Sequence, residues 1–221
     1  MNLAKMKKDE IIWMNNHHCK HKISYLQHPN CYKVECPDKQ RVGILDIEAS
    51  QLKADWGIVL CVSIRDLNSD KKWVRTITKK ELFSDDMDKA LVKDVIKEIR
   101  NYDRLIGYYI SNMRFDIPFL RTRAVHHGLD FPGFGELVVE DLFPVIKYKF
   151  QLSRNRLDNA CRTLLGDSKK THWAGKYWLK ALQGDATALK YIENHCEIDT
   201  AETKRLYMKV YNYSRRNNAS I

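Results

Sequence analysis

Three apolar runs that follow one another closely constrain the fold more than any other feature of this chain. They are residues 42–48 (VGILDIE), 57–65 (GIVLCVSIR) and 72–78 (KWVRTIT). Each run has the length and apolar character of a single strand. Because the links between the runs are short, we predict that the three strands form an antiparallel meander.

The chain after the meander alternates between helical and strand patterns. One helix is predicted where apolar side chains recur every four residues, at Met87, Leu91, Val95 and Ile99. A fourth strand is expected at 104–110, and helices at about 156–165, 173–182 and 185–211. Gly166 and Gly184 are expected to end helices. We therefore predict an α/β fold with a mixed sheet of about five strands, flanked by helices, and with the acidic site residues at one edge of the sheet.

Cysteines and histidines crowd residues 17–36, HHCKHKISYLQHPNCYKVEC. Two close pairs of possible metal ligands occur here, Cys19 with His21 and His28 with Cys31. Two such pairs around a short loop suit a tetrahedral structural Zn²⁺ ion. Cys36 is the first substitute ligand, with His17 or His18 behind it. The alternative is a disordered, His-rich leading segment with reduced cysteines.

Composition divides the chain into three parts. Residues 1–40 lack hydrophobic periodicity and bury too little apolar surface to fold unaided, so a metal ion would supply the missing stabilisation. We predict a zinc-binding segment at 1–40, one domain at 41–213 and a flexible tail at 214–221. Three other cysteines are scattered, and we expect them to be inert core residues: Cys61, Cys161 and Cys196.

The net charge points to a polyanionic partner. Lys and Arg number 38 against 28 Asp and Glu, which gives +10 and a pI near 9.2 and favours nucleic acid. No apolar run is long enough to span a membrane. The amino-terminal sequence lacks the apolar core of a signal peptide, so we expect a cytoplasmic protein.

The first strand ends in two carboxylates, Asp46 and Glu48. Residues two apart on a strand point to the same face, so both carboxylates should converge. Like charges this close repel each other unless a cation lies between them, and hard oxygen ligands suit Mg²⁺ or Mn²⁺. The alternative is that the two acids cap loops or pair with lysines.

A third acid, Asp116, lies in an apolar stretch where a helix should begin near Phe115. Burying a carboxylate there is costly without a partner. Alternatively, Asp116 is a first-turn acid that favours the helix dipole. Asn112 is either an ordinary turn residue or a helix cap that helps orient Asp116.

The last helix carries His195 and Asp199, which are four residues apart and share a helix face. Tyr191 lies one turn earlier on that face. The alternative is a solvated pair on an exposed face. Three other acids on this helix are expected at the surface, Glu193, Glu197 and Glu202.

Taken in order, Asp-x-Glu, Asn-x-x-Phe-Asp and His-x-x-x-Asp resemble the motifs of the DEDD exonuclease superfamily, over residues of about 42–211. The nearest resemblance is to predicted ribonuclease H-like exonucleases of bacteria and phages, some of which carry similar Cys/His segments. The matching residues are Asp46 and Glu48, then Asn112, Phe115 and Asp116, then Asp199. Residues 140–143 (EDLF) resemble a strand of the family, and residues 157–166 resemble the helix that follows it.

This resemblance implies a ribonuclease H-like fold and a metal-dependent 3′–5′ exonuclease, with single-stranded DNA favoured and RNA possible. It also implies that the protein binds two Mg²⁺ or Mn²⁺ ions. The protein would act in the cytoplasm of a bacterial cell or of a phage-infected host cell. Asp46 would bridge both ions, Glu48 and Asp199 would bind one, and Asp116 would help orient the second. Asn112 and Phe115 would contact substrate.

His195 departs from the family pattern. The tyrosine branch has Tyr-x-x-x-Asp, whereas the histidine branch usually has one more residue between His and Asp. At 3.6 residues per turn, four steps leave two side chains about 40° apart and five leave them about 140° apart. His195 therefore takes the position of the tyrosine, and acts either as a general base or only to hold the attacking water.

Basic and aromatic residues are candidates for contacts with the substrate. Basic residues in KYKFQLSRNR (147–156) would track phosphates. Four aromatic residues would either stack bases or belong to the core: Tyr108, Tyr109, Phe115 and Trp173.

Two other functions are compatible with the sequence. One is a catalytically inactive, zinc-bearing nucleic-acid binder on the same scaffold, and the other is an endonuclease or strand transferase.

Overall fold

A mixed sheet of five strands forms the centre of the protein. The computed structural model describes residues 6–36, 40–110, 115–133, 135–172 and 174–214. Among these residues the strands are β1 (Val42–Ala49), β2 (Val59–Asp66), β3 (Lys72–Thr76), β4 (Arg104–Gly107) and β5 (Val138–Asp141). Asn112 and Trp173, both named from the sequence, lie outside the described residues.

The strand order is β3-β2-β1-β4-β5. β1 pairs antiparallel with β2, and β2 pairs antiparallel with β3, so the predicted meander is confirmed. β4 and β5 are added in parallel on the other side of β1. The predicted place of the acids at an edge of the sheet is wrong, because β1 is the central strand. Its acids lie instead at the carboxyl end of that strand.

Helices precede, connect and cover the strands. They are α1 (Lys8–Asn16), α2 (Pro29–Glu35), α3 (Lys79–Leu82), α4 (Lys89–Ile99), α5 (Asp116–His126), α6 (Leu142–Lys149), α7 (Leu157–Leu165), α8 (Gly175–Ala181) and α9 (Ala186–Val210), followed by a 3₁₀ turn at Tyr211–Tyr213. The helices expected near 156–165, 173–182 and 185–211 correspond to α7, α8 and α9. Gly166 is the C-cap of α7 and has a left-handed φ of 90°, a common way for a helix to end, so its predicted place at a helix end is confirmed.

Two predicted elements are shorter than expected. Met87 lies before α4 and is exposed, while Leu91, Val95 and Ile99 form the buried stripe of that helix. The fourth strand ends at Gly107 rather than at residue 110, because Tyr109 takes a left-handed φ of 71° that breaks the ladder.

The amino-terminal segment contains two helices that the sequence pattern did not predict, α1 and α2. Buried residues of these helices and of the loop between them form a cluster apart from the core of the sheet. The cluster comprises Met14, Cys19, Tyr25, Cys31 and Tyr32. The cluster is small, and the expectation that this segment needs a metal ion to fold stays a prediction.

The long helix α9 covers the face of the sheet that carries the acids. Ser63 lies opposite Asp46 in the β1–β2 ladder, so both residues share that face. The Ser63 hydroxyl lies 3.0 Å from the Thr200 hydroxyl of α9, and the Cys196 thiol donates to the carbonyl oxygen of Asp46 at 3.3 Å. Among the residues that the structure describes, no helix is long and apolar enough to cross a membrane.

A buried ion pair joins α5 to the sheet. The fully buried Asp88 carboxylate accepts hydrogen bonds from Arg123 Nε at 3.0 Å and Nη2 at 2.7 Å, and from the backbone N–H of Val59 at 2.8 Å. Burial alone would raise the pKa of Asp88, but these hydrogen bonds hold it below its ordinary value. The pair therefore fixes the helix whose first residue is Asp116.

We predict that Asp88→Asn lowers the free energy of unfolding by about 3–5 kcal/mol, because it leaves the Arg123 charge buried without its partner. Urea denaturation measures the change. The control is Asp86→Asn, which removes an exposed pair with Lys89 and should cost about 0–1 kcal/mol. Equal losses in the two variants would contradict the role given to Asp88.

Candidate active site

Asp46 and Glu48 lie on the same face at the carboxyl end of β1. They pair with Ser63 and Cys61 of β2, and the register shifts immediately after Glu48, between Glu48 and Ala49. Such irregularities re-aim side chains and are common beside active sites. The Asp-x-Glu motif thus presents both carboxylates toward α9.

Asp116 joins these two acids from the first turn of α5. Its carboxylate is 3% exposed and accepts a hydrogen bond from the backbone N–H of Ile47 at 3.1 Å. Ile47 lies between the two acids of β1, so this bond fixes Asp116 beside them. The apolar neighbours seen in the sequence are the reason that this acid is buried, since Ile117, Phe119 and Leu120 pack into the core.

Helix α9 brings His195 and Asp199 to the same point. His195 Nε2 lies 3.7 Å from Glu48 Oε1 and 3.9 Å from Asp199 Oδ2. One donor atom each from Glu48, His195 and Asp199 lie within 4.8 Å of one another. The alternative of a solvated pair is excluded for these two residues, which are 4% and 6% exposed.

Lys170, which the sequence did not single out, reaches into the group of acids. Its Nζ forms an ion pair with Asp199 Oδ2. Burial would lower the pKa of Lys170, but the charges of Asp199 and Asp46 raise it above its ordinary value. Lys170 follows another lysine in a loop without periodicity, so nothing in the sequence distinguishes it from Lys169.

The loop that carries Lys170 is held against α9 along its length. Glu202 accepts a hydrogen bond from the backbone N–H of Lys169 at 3.1 Å, and Arg205 bridges Glu202 and Asp167. The Tyr191 hydroxyl donates to the carbonyl oxygen of His172 at 2.7 Å. The expectation that Glu202 is a surface residue is therefore wrong, since it is 1% exposed and anchors this loop.

Burial and the charges of neighbouring acids raise the pKa values of Asp46, Glu48 and Asp116. Burial, followed by the charge of Asp199, raises the pKa of Asp46 to about 8, although Lys170 acts in the opposite direction. Burial and the charge of Asp46 raise the pKa of Glu48 and of Asp116 well above the ordinary range. Burial lowers the pKa of His195, so its imidazole is neutral at pH 7.

Two buried oxygens in this group lack a hydrogen-bond partner within the described parts of the chain. They are Asp46 Oδ2 and Asp199 Oδ1. Buried polar atoms are almost always paired, and an exception needs an explanation such as an ion. Hard carboxylate oxygens around one point are the ligands that Mg²⁺ and Mn²⁺ prefer, so the residues present fit divalent cations.

The aromatic and basic residues that we expect to contact substrate differ in how exposed they are. Phe115 is the residue before α5, is half-buried and packs on Phe119 with ring centroids 5.3 Å apart, which favours the core interpretation. Tyr108 is partly buried, and Tyr109 is 40% exposed beside Phe143. Four basic residues are exposed between α6 and α7 or at their ends: Lys147, Lys149, Arg154 and Arg156.

A second cluster of possible metal ligands lies in the amino-terminal segment. The structure brings together Cys19, His21, His28 and Cys31, with one donor atom each within 4.8 Å of the others. Cys19 Sγ lies 3.3 Å from His28 Nδ1, and Cys31 Sγ lies 3.3 Å from His21 Nδ1. Burial opposes ionisation of Cys19, but the hydrogen bond with His28 and others lower its pKa to about 6.

The substitute ligands lie elsewhere. Cys36 is not in the cluster of four, and its backbone N–H donates to the Tyr32 carbonyl oxygen as the cap of α2. His17 stacks on Trp13 with ring centroids 4.0 Å apart, and His18 pairs with Ser24 in an isolated bridge. The first ligand set expected from the sequence is thus the one that the fold assembles.

Comparison with known protein families identifies the superfamily of this chain. The sequence profile described as the RNase_H superfamily matches residues 44–211, which is most of the 221-residue chain. The chain belongs to the RNase_H superfamily, and the mixed five-stranded sheet flanked by helices agrees with that fold. No curated protein gives a significant match. RNase H-like enzymes are usually nucleases that use divalent metals, so the family supports a hydrolytic, nuclease-like function on nucleic acid.

The raised pKa values predict that stability depends on pH. Without added divalent ions, folded Asp46 stays protonated up to about pH 8, whereas an unfolded Asp ionises near pH 4. The folded state therefore binds more protons, and the free energy of unfolding falls as the pH rises between these values. Asp46→Asn removes this cost, so we expect Tm at pH 8 to rise by about 2–4 °C or more, and by less at pH 5.

Thermal melts at the two pH values test this prediction. Asp55→Asn, which changes an exposed acid in the loop between β1 and β2, is the control and should show no such dependence. An equal change of Tm at both pH values in Asp46→Asn would show that the carboxylate is not held in its protonated form.

Proposed function

We propose that the protein is a metal-dependent 3′–5′ exonuclease of the DEDD type, acting on single-stranded DNA or RNA. The observation that carries the proposal is the convergence of four carboxylates on one face of the sheet, two of them with buried oxygens that lack a partner among the described residues. The order of the acids along the chain favours this subtype over other RNase H-like nucleases.

Each acid has a distinct place toward the ions. Asp46 lies within electrostatic reach of both Asp199 and Asp116, so it is suited to bridge two ions. Glu48 and Asp199 would hold one ion, and Asp116 would help orient the second. When bound, the two ions would lower the pKa of a water and stabilise the charge that develops on the phosphoryl group and the leaving oxygen.

The other residues would bind and orient the substrate. Lys170 supplies a positive charge beside the acids, because its loop is held against α9. Once ions bind the carboxylates, the Lys170 ammonium would contact a phosphate of the substrate. The exposed basic residues from Lys147 to Arg156 would contact phosphates further along the strand. Tyr109, partly exposed two residues after β4, would stack on a base.

We expect stepwise shortening of a 5′-labelled strand from its 3′ end in Mg²⁺ or Mn²⁺, and loss of at least about 10²-fold in rate in Asp46→Ala, because the bridging ligand is removed. Parallel single-stranded DNA and RNA substrates, resolved on sequencing gels, show which nucleic acid is preferred. Asp55→Ala is the control and should retain the wild-type rate. Internal fragments instead of a ladder would indicate an endonuclease.

A second candidate function is a nucleic-acid binder without catalytic activity. The contact of the Lys170 ammonium with Asp199 favours it, because that cation already neutralises part of the acidic group. The His195 spacing points the same way. Retained binding of labelled single strands, with no cleavage in either metal, would support this binder.

We also propose that Cys19, His21, His28 and Cys31 bind one structural Zn²⁺ ion. Two sulfur and two nitrogen donors within 4.8 Å of one another support it, since this donor set is typical of closed tetrahedral zinc sites. The small apolar cluster around them gives the segment little other stabilisation.

We predict about one zinc per chain in the purified protein, measured by mass spectrometry of the metal. Cys31→Ser should lose the zinc, because it removes one of the four donors. Cys36→Ser is the matched control, since this cysteine lies outside the cluster, and should keep it. Loss of zinc in the Cys36 variant alone would overturn the assignment of the ligands.

A further inference from the structure

We propose that His195 is itself a metal ligand, which makes one ion site a mixed nitrogen and oxygen centre that prefers Mn²⁺ over Mg²⁺. The three donors are His195 Nε2, Glu48 and Asp199. The inference rests on the proposed metal-dependent function, but it assigns to His195 a role different from that of a general base. It also predicts which ion the site selects.

The distances from His195 Nε2 to the two carboxylates fit an ion shared with each of them. His195 Nε2 is 3.7 Å from Glu48 Oε1 and 3.9 Å from Asp199 Oδ2. These separations are too long for hydrogen bonds, so the imidazole and the carboxylates do not satisfy each other directly. With metal–ligand bonds of about 2.1 Å, two donors of one ion lie at most about 4.2 Å apart. An ion between the three side chains would satisfy all of them.

The spacing along α9 is what makes this possible. His195 and Asp199 are four residues apart, so both project from one face of the helix toward Glu48. With one more residue between them, as in the histidine branch of the family, the two side chains would diverge by about 140°. A histidine at the shorter spacing therefore lies where it can share an ion with the aspartate.

The other ring nitrogen is held by a second partner. His195 Nδ1 is in close contact with the hydroxyl of Thr171, in the loop clamped to α9. A histidine that binds a metal usually engages its other nitrogen with a neighbouring polar group, which fixes the orientation of the ring. The contact directs Nε2 toward the carboxylates.

The same point already attracts a cation. The Lys170 ammonium pairs with the Asp199 oxygen that faces His195, Oδ2. The other oxygen of Asp199, Oδ1, is buried without a hydrogen-bond partner in the described ranges. A divalent ion would replace the ammonium at Oδ2 and leave Lys170 free to turn toward a phosphate.

A nitrogen donor changes which ion the site prefers. Mg²⁺ favours oxygen ligands and binds imidazole poorly. Mn²⁺ also suits carboxylates, but as a first-row transition-metal ion, at the start of the Irving–Williams order, it accepts an imidazole nitrogen more readily than Mg²⁺ does. Replacing His195 by glutamine substitutes an amide oxygen for the nitrogen. We therefore expect the preference for Mn²⁺ over Mg²⁺ to fall by roughly tenfold or more in His195→Gln, a loss of the size seen when the surroundings of a metal site are altered.

The experiment is pulsed electron paramagnetic resonance of Mn²⁺ bound to the full-length, zinc-loaded protein. Electron spin echo modulation detects a ¹⁴N nucleus coordinated to the ion. We expect this coupling in the wild type and in His172→Gln, an exposed histidine of the nearby loop that serves as the control. We expect it to be lost in His195→Gln, while calorimetry shows weaker Mn²⁺ binding.

The outcomes separate this inference from the proposed function. Bound Mn²⁺ without ¹⁴N coupling in the wild type, no Mn²⁺ binding at all, or coupling that survives in His195→Gln would each overturn the inference. Stepwise cleavage by a wild-type protein that shows no coupling would leave the exonuclease standing without the nitrogen ligand. Coupling at His195 in a protein that cleaves nothing would support the metal site and reject the exonuclease.

Discussion

Repulsion among buried carboxylates is the constraint on which the rest of this structure depends. Asp46, Glu48, Asp116 and Asp199 come from three separate elements, and burial together with the charge of neighbouring acids raises the pKa values of Asp46, Glu48 and Asp116. A fold gains nothing in stability from such a group, so its presence indicates a function that needs concentrated negative charge. Much of the surrounding structure balances or braces that charge, through the Lys170 ammonium, the backbone N–H of Ile47 and the clamped loop beside α9.

The bracing has two layers. The sheet holds Asp46 and Glu48 on its central strand, with hydrogen-bonded neighbours on both sides, while the Asp88–Arg123 pair fixes the helix that presents Asp116. The second layer is the loop between α7 and α8, which Glu202 and Arg205 tie to α9. The first layer determines where the acids lie, and the second determines which cation and which hydroxyl reach them. Substitutions in these supporting contacts would alter the positions of the site residues without replacing any of them.

Patterns with a fixed period were predictable from the sequence, and contacts between distant loops were not. The two-residue period of a strand placed Asp46 and Glu48 on one face, and the helical period placed His195 with Asp199. The short links predicted the meander, but not that later strands would make β1 central. Lys170 and Glu202 were missed because their partners lie 29 and 33 residues away, across a loop without periodicity. Helices α1 and α2 were not predicted because residues 1–40 lack hydrophobic periodicity.

The length of α9 has a consequence for how reliably the site is maintained. Helices fray at their ends, where the last turns exchange hydrogen bonds with water. His195 and Asp199 lie more than two turns from either end of this 25-residue helix. Opening of its terminal turns would therefore leave the imidazole and the carboxylate in place. The two side chains, whose separation is a few ångströms, thus occupy the middle of the helix, away from the turns that fray.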